Sequence, residues 1–148
     1  AVLLGMALPA FNTFIDQRTM TARVNDLILA VNLARSEAVN RGGLVSIQAF
    51  DASDNNDEWG PGYCVTVGNP GNCAASLRDF APADGATLDA TGGLAGVGTI
   101  SFNGRGLSTL GAQGTIELCS TDVTVDPGRE IEINTIGRAS SIDFVCNP

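Results

Sequence analysis

The sequence contains neither histidine nor lysine, and these absences narrow the chemistry that the chain can perform. Without histidine, the residue most often used for general acid–base catalysis is missing, and a mixed cysteine–histidine zinc site is excluded. The cysteines include no Cys-x-x-Cys pair, so an all-thiolate metal site is not indicated either. No serine motif marks a nucleophile–base pair. We therefore expect a protein that is not an enzyme, with no catalytic residue, metal site or cofactor.

Positive charge is also scarce. All eight basic residues are arginines, and sixteen acidic residues give a formal net charge of −8. The imbalance is uneven, because residues 1–41 carry a net charge of +1 and residues 42–148 carry −9. So acidic a segment repels phosphate groups, which disfavours general nucleic-acid binding. An acidic surface that keeps the protein soluble is the simpler interpretation.

Four cysteines lie far apart in the glycine-rich part of the chain: Cys64, Cys73, Cys119 and Cys146. An even number of cysteines in a turn-rich domain favours disulfides and an oxidising compartment. The alternative is four buried free thiols in a cytoplasmic protein. Of the three pairings, we favour a short Cys64–Cys73 loop with a Cys119–Cys146 link to the C-terminus. Each bond would stabilise the fold by roughly 2.5–4 kcal/mol through loop-closure entropy.

The first ten residues, AVLLGMALPA, are almost wholly apolar. This run is shorter than the ~20 residues that a helix needs to span a bilayer. It also lacks the basic start of a signal peptide. We interpret it as the end of a longer hydrophobic helix, with an ordinary buried helix start as the alternative. Pro9 should bend this helix or begin its next segment.

Between Ala10 and Arg41 apolar residues recur at three- and four-residue steps, which predicts an amphipathic helix. The stripe consists of Val24, Leu27, Ile28, Val31, Ala34 and Ala38. Gly42 and Gly43 follow, where a left-handed cap is expected to end the helix.

After the two glycines the pattern becomes that of short strands separated by glycine-rich turns. We predict strands at residues 44–50, 63–67, 99–103, 115–119, 130–134 and 140–145. A long helix followed by antiparallel strands predicts an α+β fold with the helix packed on one sheet. The predicted units are an N-terminal helix, residues 1–42, and a β-rich head, residues 43–148.

Two acidic patterns in the head have simple structural interpretations. Residues 51–62 resemble a calcium loop but lack its glycine and its final glutamate, so a solvated turn-rich loop is preferred. Glu130 and Glu132 suggest an acid–base pair, but residues two apart share one face of a strand, where a solvated face is simpler. Trp59 is expected to pack against its own turn.

Five segments, taken in order, resemble the GspH/FimT branch of the type IV pilin superfamily over nearly the whole chain. They follow a proline inside the apolar N-terminal helix, as in that family. The segments are SEAVNRG (36–42), WGPGY (59–63), ISFNGRG (100–106), GTIELC (114–119) and IGR (136–138).

The resemblance implies a minor pilin or pseudopilin of a type IV pilus or a type II secretion system, a protein-transport machine. Such subunits are made with a leader, cleaved and N-methylated by a prepilin peptidase. They are held in the bacterial inner membrane by a single pass with a periplasmic head, until they assemble with other pilins. The cleavage-site glycine and the following glutamate would lie upstream of Ala1.

The resemblance also implies an alternative function, DNA binding during uptake for natural transformation. In some FimT-like proteins a C-terminal Gly-Arg-x-Arg element resembles a DNA-contact loop. The matching run here is Gly137-Arg138-Ala139-Ser140, with Ser140 in place of the second arginine. Arg138 and Arg105 are the candidate DNA contacts. A structural role for Arg138 in a turn is the preferred interpretation.

Overall fold

The computed structural model describes residues 3–53, 56–121 and 128–146, with side chains from residue 17 onward. Its N-terminal element is one helix, α1 (Leu3–Arg41), which includes Pro9, so the proline does not begin a separate helix. The side chains of the apolar run at residues 1–10 lie outside the described part, and their packing stays a prediction. Among the described residues, no helix combines the length and apolar character needed to cross a bilayer.

The C-terminal half of α1 buries the predicted stripe, except that Ile28 is only partly buried. The buried side chains recur every three or four residues and are Met20, Val24, Leu27, Ala30, Val31, Ala34 and Ala38. Burial of one leucine of this kind stabilises the fold by about 1.5–3 kcal/mol. The helix ends as predicted: the Gly43 N–H donates to the Ala38 carbonyl and the Gly42 N–H to the Val39 carbonyl, the hydrogen bonds of a Schellman cap.

Eight strands lie in the described residues after α1. They are β1 (Val45–Ala49), β2 (Tyr63–Val67), β3 (Ser76–Phe80), β4 (Ala86–Gly92), β5 (Thr99–Phe102), β6 (Gly114–Ser120), β7 (Gly128–Ile133) and β8 (Ala139–Phe144). All pairings are antiparallel. They form two four-stranded sheets, with strand orders β3-β2-β1-β5 and β4-β6-β7-β8.

The α+β fold is confirmed, but the strands form two sheets where a single sheet was expected. The helix contacts β1, β2 and β5 of the first sheet and β6, β7 and β8 of the second, so both sheets share its apolar stripe. The six predicted strands are present, and β3 and β4 were missed. β3 buries only Phe80 fully, and the inward residues of β4 are Ala86, Leu88 and Ala90, so neither strand carries a strong alternation of large apolar residues.

Candidate functional site

Two turns near the C-terminal end of α1 have the same construction. They are residues 103–107, after β5, and residues 134–138, between β7 and β8. In each, the side-chain oxygen of the leading asparagine accepts a hydrogen bond from the backbone N–H of the last residue, Leu107 (3.2 Å) or Arg138 (2.9 Å). The backbone N–H of the same asparagine donates to the carbonyl of that last residue. Local hydrogen bonds of this kind fix turns independently of the core.

The two turns touch each other through their backbones. Gly106 and Gly137 have positive φ angles of 75° and 78°, a region that L side chains rarely adopt. A β-carbon at Gly137 would lie 2.7 Å from the Gly106 carbonyl oxygen. The first turn also rests on the end of α1, because a β-carbon at Gly104 would lie 2.6 Å from the carbonyl carbon of Gly42. Glycine therefore allows the three backbone segments to meet.

Three arginines surround this contact. Arg105 adjoins Gly106 and Arg138 adjoins Gly137, while Arg35 reaches the same place from α1. A β-carbon at Gly106 would lie 3.2 Å from Arg35 Nε. All three arginines are exposed. In the described residues none of them forms an ion pair, and we call Arg35, Arg105 and Arg138 the arginine patch.

Exposed aliphatic side chains lie among these arginines. Val39 is 50% exposed and its Cγ2 atom lies 3.0 Å from the position of a Gly106 β-carbon. Leu107 and Ile136, within the two turns, are 38% and 56% exposed. The patch thus combines unpaired positive charge with apolar surface, a composition that suits a protein partner.

The outer face of the second sheet has the opposite charge. The strand register places Asp89 opposite Glu117 and Glu117 opposite Glu130, and Glu132 lies two residues along β7 on the same face. We call Asp89, Glu117, Glu130 and Glu132 the carboxylate face. Glu117 accepts a hydrogen bond from Thr91 (3.2 Å) and Glu132 accepts one from Gln113 (2.9 Å). Glu130 and Glu132 thus share the face predicted for them, although both are half-buried.

The neighbouring carboxylates affect the pKa of Asp89. Its pKa is raised above the ordinary value of 3.8 by burial and then by the neighbouring carboxyl groups of Glu58, Glu117 and Asp57. Like charges directly opposite each other on neighbouring strands destabilise a sheet. Burial and the neighbouring carboxyl groups therefore disfavour the charged form of Asp89 in the isolated chain.

The acidic residues just before Trp59 pack against β4. The prediction of a solvated loop at residues 51–62 is therefore wrong for this part of the loop. The Glu58 side chain is buried and accepts a hydrogen bond from the Ala90 N–H (3.0 Å), while Asp57 accepts one from the Leu88 N–H (2.7 Å). These carboxylates cap the free edge of β4. The described residues contain no group of three acidic or cysteine side chains suited to a metal ion. Asp54 and Asn55 lie outside the described part.

Trp59 is fully buried and its ring meets the Tyr63 ring edge-on at 5.9 Å between centroids. Tyr63 in turn stacks on Phe80 at 5.0 Å. The tryptophan is thus part of the core beneath its own turn.

Both disulfides of the favoured pairing are present, Cys64–Cys73 and Cys119–Cys146. The first fastens the loop after β2 across the first sheet, where the Gly68 carbonyl accepts a hydrogen bond from Ser46. The second lies over Gly128, whose added β-carbon would meet both Leu118 O and the Cys146 sulfur.

The sequence identified Arg105 and Arg138 as candidates but did not show that their two turns are in contact. It missed Arg35 as a member of the patch, although its place beside the apolar stripe was visible. It also missed the carboxylate face, because Asp89 lies on β4 and that strand was not predicted. The repeated Asn-x-x-Gly pattern at residues 103–106 and 134–137 was the available signal for two matched turns.

Comparisons with known proteins agree on one family. The model of the family described as "Type II transport protein GspH" matches residues 23–137. Two crystal structures of the Pseudomonas aeruginosa (strain PAO1) type IV minor pilin FimU are similar. One has 27% identity and a TM-score of 0.68 over 82% of this chain and 91% of the other. The second has 25% identity and a TM-score of 0.70, covering 86% and 90%. Comparison with curated protein sequences gives no match.

Proposed function

Since this chain belongs to the GspH/FimT family of minor pilins and pseudopilins, we propose that it is a structural subunit that helps to initiate or cap a filament. The observation that carries the proposal is the 39-residue helix α1, whose first core residue among the described side chains is Met20. About 25 Å of helix, at 1.5 Å per residue, precedes that residue. The proposed role is one of assembly, without catalysis.

The helix and the head have different roles in the proposed subunit. Residues 43–148 form the head that stays outside the bilayer, and residues 1–42 form the helix that anchors the subunit in the inner membrane and later packs among the helices of other pilins. The stripe from Met20 to Ala38 fixes the helix to both sheets. A pull on the helix is therefore transmitted to the whole head.

We favour a type IV pilus over a type II secretion pseudopilus. Both similar crystal structures are of a type IV minor pilin, with identities of 27% and 25%. The matching family model is named for type II transport, so the secretion pseudopilus remains the competing assignment.

The test is to delete the gene in its own organism and to restore it with a tagged full-length copy. We expect fewer surface filaments on deletion, recovery on complementation, and the tagged chain in the sheared filament fraction. Loss of secreted type II substrates with normal pili would assign the chain to the pseudopilus instead. A cytosolic chain with four free thiols would overturn both assignments.

Processing offers an independent check. A subunit handled as the family implies has a cleaved and N-methylated N-terminus, which mass spectrometry of membrane-extracted protein detects. An intact, unmethylated start in cells with an active prepilin peptidase would argue against the pilin assignment.

A second candidate function is DNA binding for uptake, and the contact between the turns of Arg105 and Arg138 favours it. The net charge of −8 opposes it. A gel shift at low ionic strength that is lost in Arg105→Ala and Arg138→Ala variants would support it. Absence of any shift at low ionic strength removes it.

A further inference from the structure

The two sheets of the head have four edge strands, β3 and β5 in the first sheet and β4 and β8 in the second. Three of these edges are protected against pairing with another chain. The edge of β4 donates to the side chains of Asp57 and Glu58. Residues 107–109 pair with the outer side of β5, and β3 exposes the charged side chains of Arg78 and Asp79. In the described part of the chain, β8 has no such protection.

The hydrogen-bond pattern of the β7–β8 hairpin shows which groups face the open edge of β8. In its turn the Asn134 N–H donates to the Arg138 carbonyl, so these two residues form a hydrogen-bonded pair. Hydrogen-bonded and non-hydrogen-bonded pairs alternate along an antiparallel ladder. Ala139, Ser141 and Asp143 therefore turn their backbone N–H and carbonyl groups away from β7. Among the described residues, no backbone group meets them there.

The side chains of β8 leave this edge accessible. Ser140 and Ser141 are small and exposed, and Ile142 is 50% exposed. The strand contains neither proline nor lysine, and its single charged residue, Asp143, forms an ion pair with Arg129 of β7. An exposed strand edge without these blocking residues is a template for pairing with a strand of another protein.

We propose that the open edge of β8 binds an extended basic segment of a different filament subunit, which adds a fifth strand to the second sheet. This inference rests on the proposed function and names one contact of the subunit. One open edge accepts one strand, so the contact joins this chain to a single neighbour. That suits a subunit that initiates or caps a filament.

The charge beside β8 favours a basic occupant. Glu130 and Glu132 lie on the adjoining strand, and neither belongs to an ion pair of the described residues. Glu132 is paired with Ser140, whose short side chain leaves space above the strand. An added strand would lie about 9.6 Å from β7, at about 4.8 Å per strand, and an arginine or lysine side chain can extend across β8 towards Glu132.

The same charge disfavours a second copy of this chain as the occupant. The net charge of −8 attracts a basic segment and repels another copy. The exposed Ile142 side chain would contact an apolar residue on the same face of the added strand. The expected segment therefore alternates basic and apolar residues on one face.

The test adds the synthetic peptide TVTRTVTR to the purified full chain. In an extended peptide of this sequence, valine and arginine alternate on one face and threonine occupies the other. The measurement is amide hydrogen exchange followed by nuclear magnetic resonance. The amides of Ser141 and Asp143 should exchange more slowly when the peptide is present, because their N–H groups face the open edge. The amides of Ser140 and Ile142, which face β7, should be protected without it.

Ser141→Pro tests the edge itself. Proline is tolerated in an edge strand where its missing N–H would point away from the sheet, so the hairpin should survive. We expect this variant to bind the peptide at least about tenfold more weakly than the unaltered chain does. Ser141→Thr is the matched control, because it keeps the N–H and should bind like the unaltered chain.

Changes in the peptide test the same contact without altering the protein. One peptide is N-methylated on its threonines and another on its valines and arginines. Since only one side of an added strand pairs with β8, exactly one of the two should lose binding. The peptide TVTETVTE should bind at least about tenfold more weakly than TVTRTVTR at about 0.01 M salt, and the difference should shrink at about 1 M salt.

Several results would overturn the proposal. They are unchanged exchange of Ser141 and Asp143 in about 1 mM peptide, equal binding of the glutamate peptide at low salt, and an equal loss in Ser141→Pro and Ser141→Thr. Protection of these amides in the chain alone, increasing with its concentration, would assign the edge to a second copy instead.

Filaments separate this contact from the proposed function. A photo-crosslinking amino acid in place of Ile142 should join the chain to another pilin in sheared filaments. If the chain enters filaments normally as Ser141→Pro and gives no crosslink from position 142, the contact is wrong and the proposed function stands. If the chain passes the peptide tests but never enters filaments, the proposed function is wrong and β8 remains an acceptor edge.

Discussion

The backbone of Gly137 lies so close to that of Gly106 that a β-carbon on Gly137 would stand 2.7 Å from the Gly106 carbonyl oxygen. The same added atom would lie 3.1 Å from the Phe102 ring, so the contact continues from the surface into the core. The position of Arg138 is thus set by residues that precede it by more than thirty positions in the chain.

We expect Gly137→Ala to destabilise the fold more than a glycine replacement without a clash. Gly71 supplies the matched control, because its φ is 72° and nothing lies within 4 Å of its added β-carbon. Gly71→Ala should cost about 1–2 kcal/mol from backbone strain alone. Gly137→Ala should cost about 1–3 kcal/mol more, since the added carbon must displace backbone or ring atoms. Urea unfolding measures both free energies, and equal losses would show that the turns do not need to touch.

Removal of the two disulfides should have unequal effects on the free energy of unfolding. Cys119–Cys146 spans 27 residues and Cys64–Cys73 spans 9. Loop-closure entropy gives about 3.5 kcal/mol for the longer loop and about 2.6 kcal/mol for the shorter. Paired serine replacements, unfolded in urea without reductant, should differ by about 1 kcal/mol in that order. A larger loss at Cys64–Cys73 would mean that the loop across the first sheet depends on that bond for more than chain entropy.

The fold was predictable where side-chain size and spacing were both distinctive. The apolar stripe containing Leu27 and Ala34 predicted the helix, and Gly42 predicted where the helix ends. β4 was missed because Ala86 and Ala90 are too small to produce a strong alternation, and its alignment depends on pairing with β6. No local signal reports such a distant pairing.

The candidate site was predictable only as separate residues. Arg105 and Arg138 belong to visible motifs, but their proximity depends on the meeting of Gly106 with Gly137. Glu58 sits in a polar sequence that is typical of a solvated loop. Its burial follows from the free edge of β4, whose amides need acceptors, so missing that strand also meant missing the role of Glu58.

Glu58 should be replaceable by glutamine but not by alanine. Its Oε2 atom accepts the hydrogen bond from the Ala90 N–H at 3.0 Å in a fully buried position. Glu58→Ala leaves that amide without an acceptor and should cost about 1–3 kcal/mol. Glu58→Gln keeps an oxygen in the same place and lowers the repulsion with Asp89, so its stability should stay close to that of the unaltered chain. Similar losses in both variants would show that the charge, and not the acceptor, is what the strand edge requires.

Asp89→Asn should raise the stability of the isolated chain at neutral pH. The pKa of Asp89 is raised above 3.8 by burial and by nearby carboxyl groups, so the folded chain binds a proton more tightly than the unfolded chain does. For such a group, stability falls as the pH rises from the unfolded pKa through the folded one, and the full penalty is present above both values. Asparagine carries no charge and can donate a hydrogen bond to Glu58.

The melting temperature of the Asp89→Asn variant should therefore exceed that of the unaltered chain at pH 7. The difference should narrow with acidification and vanish below the ordinary pKa of 3.8. Asp84→Asn, at an exposed position away from the face, should leave the melting temperature nearly unchanged. A gain at Asp89 that persists unchanged in acid would show that the substitution acts through packing rather than through relief of charge repulsion.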